Sequence, residues 1–263
     1  MTLTDRLRIN LAAFRACVRN WRGRKHEPEA PLHALLLQPD DLCLHIGATD
    51  GRHSYLMAQA LTGRGHIYAF EPSPLTFPIL QRTIAWHGLR NKVTIAQKAF
   101  SDRPQRLTLN VPLKRAGHRG NAFGFVTPAG QKAAGRTDVA LAGGGGMLHF
   151  EVEATTIDAV AATIGRVDFI RMDIEGSEQL ALAGGWPAIE KWRPHLVIEI
   201  HPVLLREQFG GSAQAIYNRF RELGYGIYHL DGERLIASPN LEIVPWKDYF
   251  FVSPARPHRL PVK

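Results

Sequence analysis

The fold is indicated by the stretch DLCLHIGATDG at residues 41–51. It is an apolar run followed by a turn that begins at Gly47. A second apolar run, His66–Phe70, follows and ends in Glu71 and Pro72. A strand, a glycine turn, a helix and a strand ending in an acid are typical of a nucleoside-binding half-site. The glycines let the backbone approach the ligand, and the acid can accept hydrogen bonds from ribose hydroxyls.

Composition limits the classes of protein to consider. The chain has 263 residues, 45% of them hydrophobic, which suits one large domain or one domain with an appendage. Its apolar runs are far shorter than the roughly 20 residues of a membrane-spanning helix, and arginines interrupt the N-terminal apolar content as no secretory signal would. Cys17 and Cys43 are the two cysteines, too few for a disulfide framework or a zinc site. We therefore expect a cytoplasmic protein, with Cys43 as a small core residue.

The N-terminal segment is predicted to be a basic amphipathic helix and linker over residues 1–30, ahead of a main domain at 31–263. Residues 1–25 hold seven Lys or Arg and one Asp, a net charge of +6 out of +8 for the whole chain. Apolar residues recur there at helical spacing, at Leu7, Leu11, Phe14, Val18 and Trp21. This stripe could pack on the main domain, lie on an anionic membrane at its inner face, or accompany contact with nucleic acid.

The rest of the chain alternates strands with helices, which predicts parallel pairing and a doubly wound α/β sheet. The predicted strands are 41–46, 66–70, 93–97, 167–173, 195–200, 226–230 and 249–252. The predicted helices include 54–61, 75–87, 176–183 and 213–223, and Thr156 is predicted to cap a further short helix. Ligands of such sheets bind at the carboxyl ends of the strands.

The segment 102–153 breaks this alternation. It contains two strand-like pieces, 106–113 and 149–154, separated by a stretch that includes four consecutive glycines at 143–146. A long irregular insertion is usually a mobile lid or a disordered loop. We expect a lid over the substrate.

The glycine turn narrows the cofactor. Gly47 and Gly51 form G-x-x-x-G, which differs from the fingerprint of nicotinamide enzymes, and the turn has no phosphate-loop lysine. The motif therefore suits a nucleoside without a pyrophosphate. Glu71 strengthens this interpretation, because Pro72 and Pro74 fix the turn that aims it.

Acids also end the next predicted strands. Asp173 and Glu175 follow one of them, and Glu199 and His201 end the next. Carboxylates so close together repel one another, so a positive group is expected nearby. A sulfonium, a metal ion or Arg171 could supply it.

These motifs resemble those of the FkbM-type S-adenosylmethionine-dependent methyltransferases. The matching stretches are FEPSP at 70–74, DIEGSE at 173–178 and EIH at 199–201, in that order and spacing. The resemblance implies a Rossmann-like class I fold of seven strands with the last one antiparallel. It also implies methyl transfer from S-adenosylmethionine to oxygen, on a sugar, glycolipid or natural-product hydroxyl, or to an amide nitrogen.

The resemblance further implies a cofactor site at named positions. The methionine part would lie against the glycine turn and Asp173, the ribose hydroxyls against Glu71, and the adenine near residues 99–102. The full set is His45, Gly47, Ala48, Thr49, Asp50, Gly51, Glu71, Pro72, Ala99, Phe100, Ser101, Asp102 and Asp173.

Three positions depart from the family pattern. His45, Thr49 and Arg171 stand where the family usually has Asp, Asn and Lys. The usual Asp helps to recognise the amino group of the cofactor. A neutral His45 could still accept a hydrogen bond, whereas a protonated one would repel an ammonium group. Lower cofactor affinity, replacement by Asp50, or a non-catalytic cofactor-binding protein would each be consistent with these changes.

For catalysis we expect a base that takes the proton of an acceptor hydroxyl, with His201 as the base and Glu199 orienting it. Glu175 and Asp173 are the other candidates. Alternatively, Asp173, Glu175, Glu199 and His201 could hold a divalent metal that lowers the pKa of the hydroxyl. RNA is a disfavoured acceptor, because the chain lacks an N-P-P-Y-like motif and a cysteine placed for attack on a pyrimidine.

Overall fold

The structure is a computed structural model that describes residues 3–21, 28–112, 124–133, 146–244 and 246–262. Its strands lie in two sheets. The main sheet contains β1 Leu42–Ile46, β2 His66–Phe70, β3 Val93–Ala96, β8 Phe169–Met172, β9 His195–Ile200, β10 Gly226–Asp231, β11 Arg234–Ala237 and β12 Lys247–Val252. The second sheet contains β4 Ala99–Phe100, β5 Gln105–Pro112, β6 Phe125–Pro128 and β7 Met147–Thr155.

Helices separate most strands of the main sheet, as the alternating pattern predicts. They are α1 Leu3–Trp21, α2 Arg52–Ala60, α3 Phe77–Trp86, α4 Ile157–Ile164, α5 Glu178–Ala183, α6 Trp186–Trp192, α7 Pro202–Phe209 and α8 Ala213–Glu222, with a 3-10 helix at Ala30–Leu35. Thr156 caps α4 as predicted, because its side chain accepts a hydrogen bond from the Ala159 N–H. Within the described ranges, no helix is long and apolar enough to cross a membrane.

The main sheet runs in the order β11-β10-β12-β9-β8-β1-β2-β3. The five neighbouring strands β9, β8, β1, β2 and β3 pair in parallel, and β12 is antiparallel to both β9 and β10. The doubly wound α/β class and the antiparallel last strand are therefore confirmed. The strand count of seven was wrong, because β10 and β11 form a hairpin that adds an eighth strand at the edge. Strand β11 is only four residues long and none of them is buried, so it lacks the alternation of buried and exposed positions that would have predicted it.

Apolar clusters cover both faces of the main sheet. Leu44 and Met172 point into one cluster with α4, α5 and α8, and Cys43 and Ile67 point into the other with α2 and α3. Successive residues of a strand face opposite sides, so strands covered on both sides need nearly continuous apolar sequence. Cys43 is fully buried, as expected.

The insertion is partly an ordered sheet. Strand β5 pairs antiparallel with β7 along its whole length, from Gln105 opposite Ala154 to Pro112 opposite Met147. The two strands predicted in this segment are thus confirmed. The lid prediction falls largely on 113–123 and 134–145, which lie outside the described residues.

Candidate active site

A cavity of about 430 Å³ lies at the carboxyl ends of β1, β2, β8 and β9. In doubly wound α/β folds, ligands bind at this edge of the parallel sheet. The second sheet supplies one wall through Leu109, Gly124 and Val126, and α1 supplies Arg19. We call residues 47–51 with Glu71 the turn end of the cavity. Asp173, Glu175, Glu199 and His201 form its acid end.

Glycine is required where the turn end meets the acid end. Gly47 has φ +84°, and a Cβ at this position would lie 1.9 Å from the carbonyl oxygen of Asp173. A side chain would therefore push β1 away from β8 or distort the turn. The glycine in the sequence motif thus allows the close approach of the two strand ends.

Thr49 carries strain at the tip of the turn. Its φ is +49°, a region that β-branched residues rarely adopt and that Asn tolerates better. The conformation aims its backbone N–H at Glu71 Oε2, 2.8 Å away. Glu175 at the acid end is another non-glycine residue with positive φ, +57°. Strained residues of this kind cluster at functional sites.

The Glu71 carboxylate is largely occupied by the protein itself. Oε1 accepts hydrogen bonds from the Ser73 N–H at 2.9 Å and the Thr76 hydroxyl at 2.7 Å, and Oε2 accepts from the Thr49 N–H. A carboxylate offers about four acceptor positions, so about one remains, on Oε2. Burial raises the pKa of Glu71, and these three hydrogen bonds oppose the rise.

His45 lies beneath the cavity rather than in its wall. It is 1% exposed, and its Nδ1 is 2.7 Å from the Ser54 hydroxyl. Burial lowers the pKa of His45 to about 3, and the guanidinium groups of Arg171 and Arg52 contribute. The imidazole is therefore neutral at physiological pH and does not repel an ammonium group through charge.

Arg171 is the cross-strand neighbour of His45 in the parallel pairing of β1 and β8. Its guanidinium group is fully buried and donates a hydrogen bond to Asp248 Oδ1 at 2.7 Å, with Asp173 Oδ2 at 3.6 Å. By the resemblance drawn from the sequence motifs, Asp and Lys would be expected at these two positions. Here a neutral His replaces the acid, and Asp248 of β12 balances the buried cation.

At the acid end, His201 joins two carboxylates. Its Nε2 is 2.8 Å from Glu199 Oε1 and 3.4 Å from Glu175 Oε2. A lone pair on Nε2 would face oxygen lone pairs, so Nε2 must carry the hydrogen and donate it, mainly to Glu199. The ring also stacks on Trp246, with centroids 5.2 Å apart. Glu199 thus orients the ring, as expected, but Nδ1, the nitrogen left to accept a substrate proton, is buried, so His201 is less favourably placed as the base than its motif indicates.

Asp173 is the carboxylate most open to the cavity. Its side chain is 29% exposed, against 15% for Glu199 and 8% for Glu175. Burial raises the pKa of Asp173 well above its ordinary value, the Glu199 and Glu175 carboxylates raise it further, and Arg171 opposes them. An acid with a raised pKa is suited to accept a proton from a hydroxyl.

The acid end also contains a set of groups that could hold a divalent cation. One ligand atom each from Asp173, Glu199 and His201 lies within 4.8 Å of the others. Two carboxylates and an imidazole suit several divalent metals. However, His201 could bind a metal through Nε2 only by giving up its hydrogen bond to Glu199.

Most predicted cofactor residues line the cavity. These are Gly47, Ala48, Thr49, Asp50, Glu71, Pro72, Ala99, Phe100 and Asp173. Gly51, Ser101 and Asp102, like His45, are not among the lining residues. Ser101 instead donates its backbone N–H to Thr155 and its hydroxyl to Asp102, so it joins β4 to the rest of the second sheet.

The sequence interpretation missed three cations and an aromatic ring of the cavity wall. Arg19, Arg52, Lys98 and Trp246 line it, and Arg19 forms an ion pair with Asp50. No motif marks these residues. Arg19 lies in the N-terminal helix, far from the glycine turn in sequence, so only the docking of α1 reveals it.

Comparisons with known proteins identify a family. A family model described as the methyltransferase FkbM domain matches residues 45–227. No curated protein matches this chain.

Among solved structures, the chain is similar to an FkbM methyltransferase from Methylobacillus flagellatus KT, with 17% identity and a TM-score of 0.47 over 82% of this chain and 44% of that one. It is also similar to a SAM-dependent O-methyltransferase from Thermotoga maritima, with 12% identity and a TM-score of 0.46 over 92% and 73% of the two chains. A precorrin-6y C5,15-methyltransferase from Geobacter metallireducens GS-15 shows 14% identity and a TM-score of 0.43 over 86% and 87%. The chain thus spans less than half the length of the Methylobacillus protein.

Proposed function

The chain belongs to the FkbM methyltransferase family, and from that premise we propose that it transfers a methyl group from S-adenosylmethionine to a hydroxyl oxygen. The acceptor that we propose is a sugar, a glycolipid or a natural product with a free hydroxyl. The observation that carries the proposal is that the turn end and the acid end line one and the same cavity. This arrangement supports a nucleoside site beside groups that can accept a proton.

The residues of the turn end suit this cofactor. The cavity volume of about 430 Å³ is in the usual range for small-molecule sites. The remaining acceptor position of Glu71 suits one ribose hydroxyl. The ion pair of Arg19 and Asp50 offers a cation and an anion side by side, which complements the carboxylate and ammonium of an amino-acid group. Asp50 would then take the place of the acid that the family has at position 45.

When bound, S-adenosylmethionine supplies a methyl group on a positively charged sulfur, which needs no further activation. The protein therefore has to position the acceptor hydroxyl and take its proton as the oxygen forms its new bond to carbon. We assign proton acceptance to Asp173, because it is the most open carboxylate and its pKa is raised. We assign His201 a positioning role, since it holds Glu199 through Nε2 and keeps that carboxylate beside Asp173.

The test is transfer of a labelled methyl group to a panel of sugars, glycolipids and hydroxylated natural products, with products identified by mass. We expect a product one methyl group heavier from at least one hydroxylated acceptor. A chain that binds the cofactor and methylates no acceptor would instead be a non-catalytic member. Methylation confined to amides or RNA would overturn the oxygen assignment.

The same assay separates the two base assignments. Asp173→Asn removes the proton acceptor but preserves the shape of the side chain, so we expect turnover to fall about a thousandfold. Loss of His201 leaves Asp173 in place, so His201→Ala should retain a larger part of turnover. Full loss in His201→Ala together with wild-type turnover in Asp173→Asn would restore the imidazole as the base.

A further inference from the structure

The N-terminal helix α1 docks on the domain through its small and polar side. Ala13, Ala16 and Asn20 are almost fully buried, at 0%, 2% and 3% exposure. The contacts on α3 are of the same kind: Asn20 lies 3.4 Å from the His87 ring, and Asn10 accepts a hydrogen bond from Arg82. Small residues let two helices approach closely, so α1 does not need its large apolar side chains for this packing.

The large apolar side of α1 therefore points away from the protein. Four residues of the predicted apolar stripe are at least half exposed: Leu7 at 62%, Leu11 at 50%, Phe14 at 57% and Trp21 at 78%. A helix that merely covered a core would turn this side inward. Contiguous exposed apolar residues of this size mark an interaction surface. We call these four residues the outer face of α1.

Positive charge borders the outer face. Arg8 and Arg15 are exposed and lie seven residues apart, which places them along one edge of the apolar stripe. Arg6 is exposed on the other side. Residues 1–25 as a whole carry a net charge of +6. An apolar stripe bordered by arginines is complementary to a surface that offers acyl chains beneath negatively charged groups.

We infer that the outer face of α1 docks on an anionic lipid bilayer, with its apolar side chains in the interface and the arginines on the lipid headgroups. Trp86, which is 50% exposed, lies one helical turn from Arg82 on α3 and adds an interfacial aromatic ring beside α1. The contact is peripheral. A second copy of this chain fits less well, because an isologous contact would bring the arginines of both copies together.

Docking in this way would hold the cavity close to the bilayer. Arg19 on the inner side of α1 lines the cavity, and a helix is about 10 Å across. The bilayer surface would thus lie about one helix diameter from that wall. This consequence, which rests on the proposed function, favours an acceptor carried on a lipid over a freely diffusing one.

The test is flotation of the full chain with vesicles. We expect it to float with equimolar phosphatidylcholine and phosphatidylglycerol, to bind phosphatidylcholine alone much more weakly, and to be released by high salt. Leu11→Ala with Phe14→Ala should weaken binding at least about tenfold, because both side chains lose apolar burial. Arg8→Gln with Arg15→Gln should weaken it about thirtyfold, at the usual contribution per basic residue.

A matched control removes apolar side chains that are exposed elsewhere. Ile236→Ala with Val244→Ala changes two exposed residues outside α1 and should leave vesicle binding unchanged. Far-UV circular dichroism and S-adenosylmethionine binding confirm that each variant is folded, and they report on the cofactor site separately from the lipid surface. Equal flotation of Leu11→Ala with Phe14→Ala and wild type would overturn the inference. So would a wild-type dimer that ignores vesicles and becomes monomeric in that variant, because a second copy would then cover the outer face.

Discussion

The turn end and the acid end of the cavity hold their charges in opposite ways. At the turn end, Glu71 is held by three hydrogen-bond donors, and Asp50 by Arg19. At the acid end, the carboxylates of Glu175 and Glu199 share one imidazole, and Arg171 reaches Asp173 only at 3.6 Å. The turn end is thus built to keep its shape, whereas the acid end keeps a carboxylate that can take up a proton. The following changes break or sharpen this contrast, from the largest expected effect to the smallest.

Asp173→Asn should have the largest effect, a loss of about a thousandfold in turnover, or about 4 kcal/mol. Cofactor affinity should change much less, because the turn end keeps its contacts. Wild-type activity should fall as the pH drops through the raised pKa of Asp173, since only the ionised acid accepts a proton. Rate measurements across pH, beside calorimetry, would check both points. If the residual activity of the variant falls at low pH in the same way as the wild-type activity, the assignment of Asp173 is contradicted.

Asp248→Asn should destabilise the fold by about 3 kcal/mol, because the buried Arg171 loses its charged partner. His45→Asp should recover much of that loss in the double variant, since position 45 lies beside Arg171 on the neighbouring strand. Urea unfolding measures both effects, with the exposed Asp231→Asn as a control. If the effects of His45→Asp and Asp248→Asn on the free energy of unfolding simply add, residues 45 and 248 do not both interact with Arg171.

Glu178→Gln should remove a pH dependence of stability. Glu178 is fully buried, and burial raises its pKa from 4.5 to about 7. The folded state holds this proton more tightly than the unfolded state, so the stabilisation is complete below pH 4.5 and is lost as the pH rises through 7. We therefore expect the stability of wild type to fall relative to that of the variant between pH 5 and pH 8, by about 3 kcal/mol at most. Thermal unfolding at pH 5 and at pH 8 tests this, with the exposed Glu153→Gln as the control. An equal loss of stability in wild type and in Glu178→Gln would refute it.

Thr49→Asn should produce the smallest effect, a gain of about 1 kcal/mol and a rise in Tm of about 2 °C. Asn adopts the positive φ at this position with less strain, and its backbone N–H can still bind Glu71. Thr62→Asn, at an exposed position without positive φ, should not stabilise. A loss of stability in Thr49→Asn would show that the turn end depends on the threonine side chain.

Local patterns predicted much of the fold. Apolar runs and glycine turns located the core strands of the main sheet, because burial on both faces demands continuous apolar sequence. The edge strand β11 was missed because its side chains are mostly exposed. The two longer strands of the insertion were recognised, yet β6 was not, since its four residues are too few to show a strand pattern.

The candidate site was predictable where backbone geometry selects the residue type, and less so where distant elements meet. Gly47 belongs to the first kind, and the acids were located because each directly follows or ends an apolar run. Arg19 and Trp246 belong to the second, because packing of α1 and of the segment before β12 brings them to the cavity. The direction of the His201 hydrogen bond is also of this kind, since it depends on where Glu175 and Glu199 lie in space. The helix α1 was predicted, but the orientation of its apolar side was left open until its packing was seen.

Titration calorimetry with S-adenosylmethionine tests the central claim most directly. We predict that the wild-type chain binds one cofactor molecule, and that Glu71→Gln weakens binding at least about tenfold, because an amide disrupts the carboxylate contacts that shape the turn end. Circular dichroism of both proteins would establish that they are folded. A folded wild-type chain that binds no S-adenosylmethionine, or equal affinity in Glu71→Gln, would contradict the account.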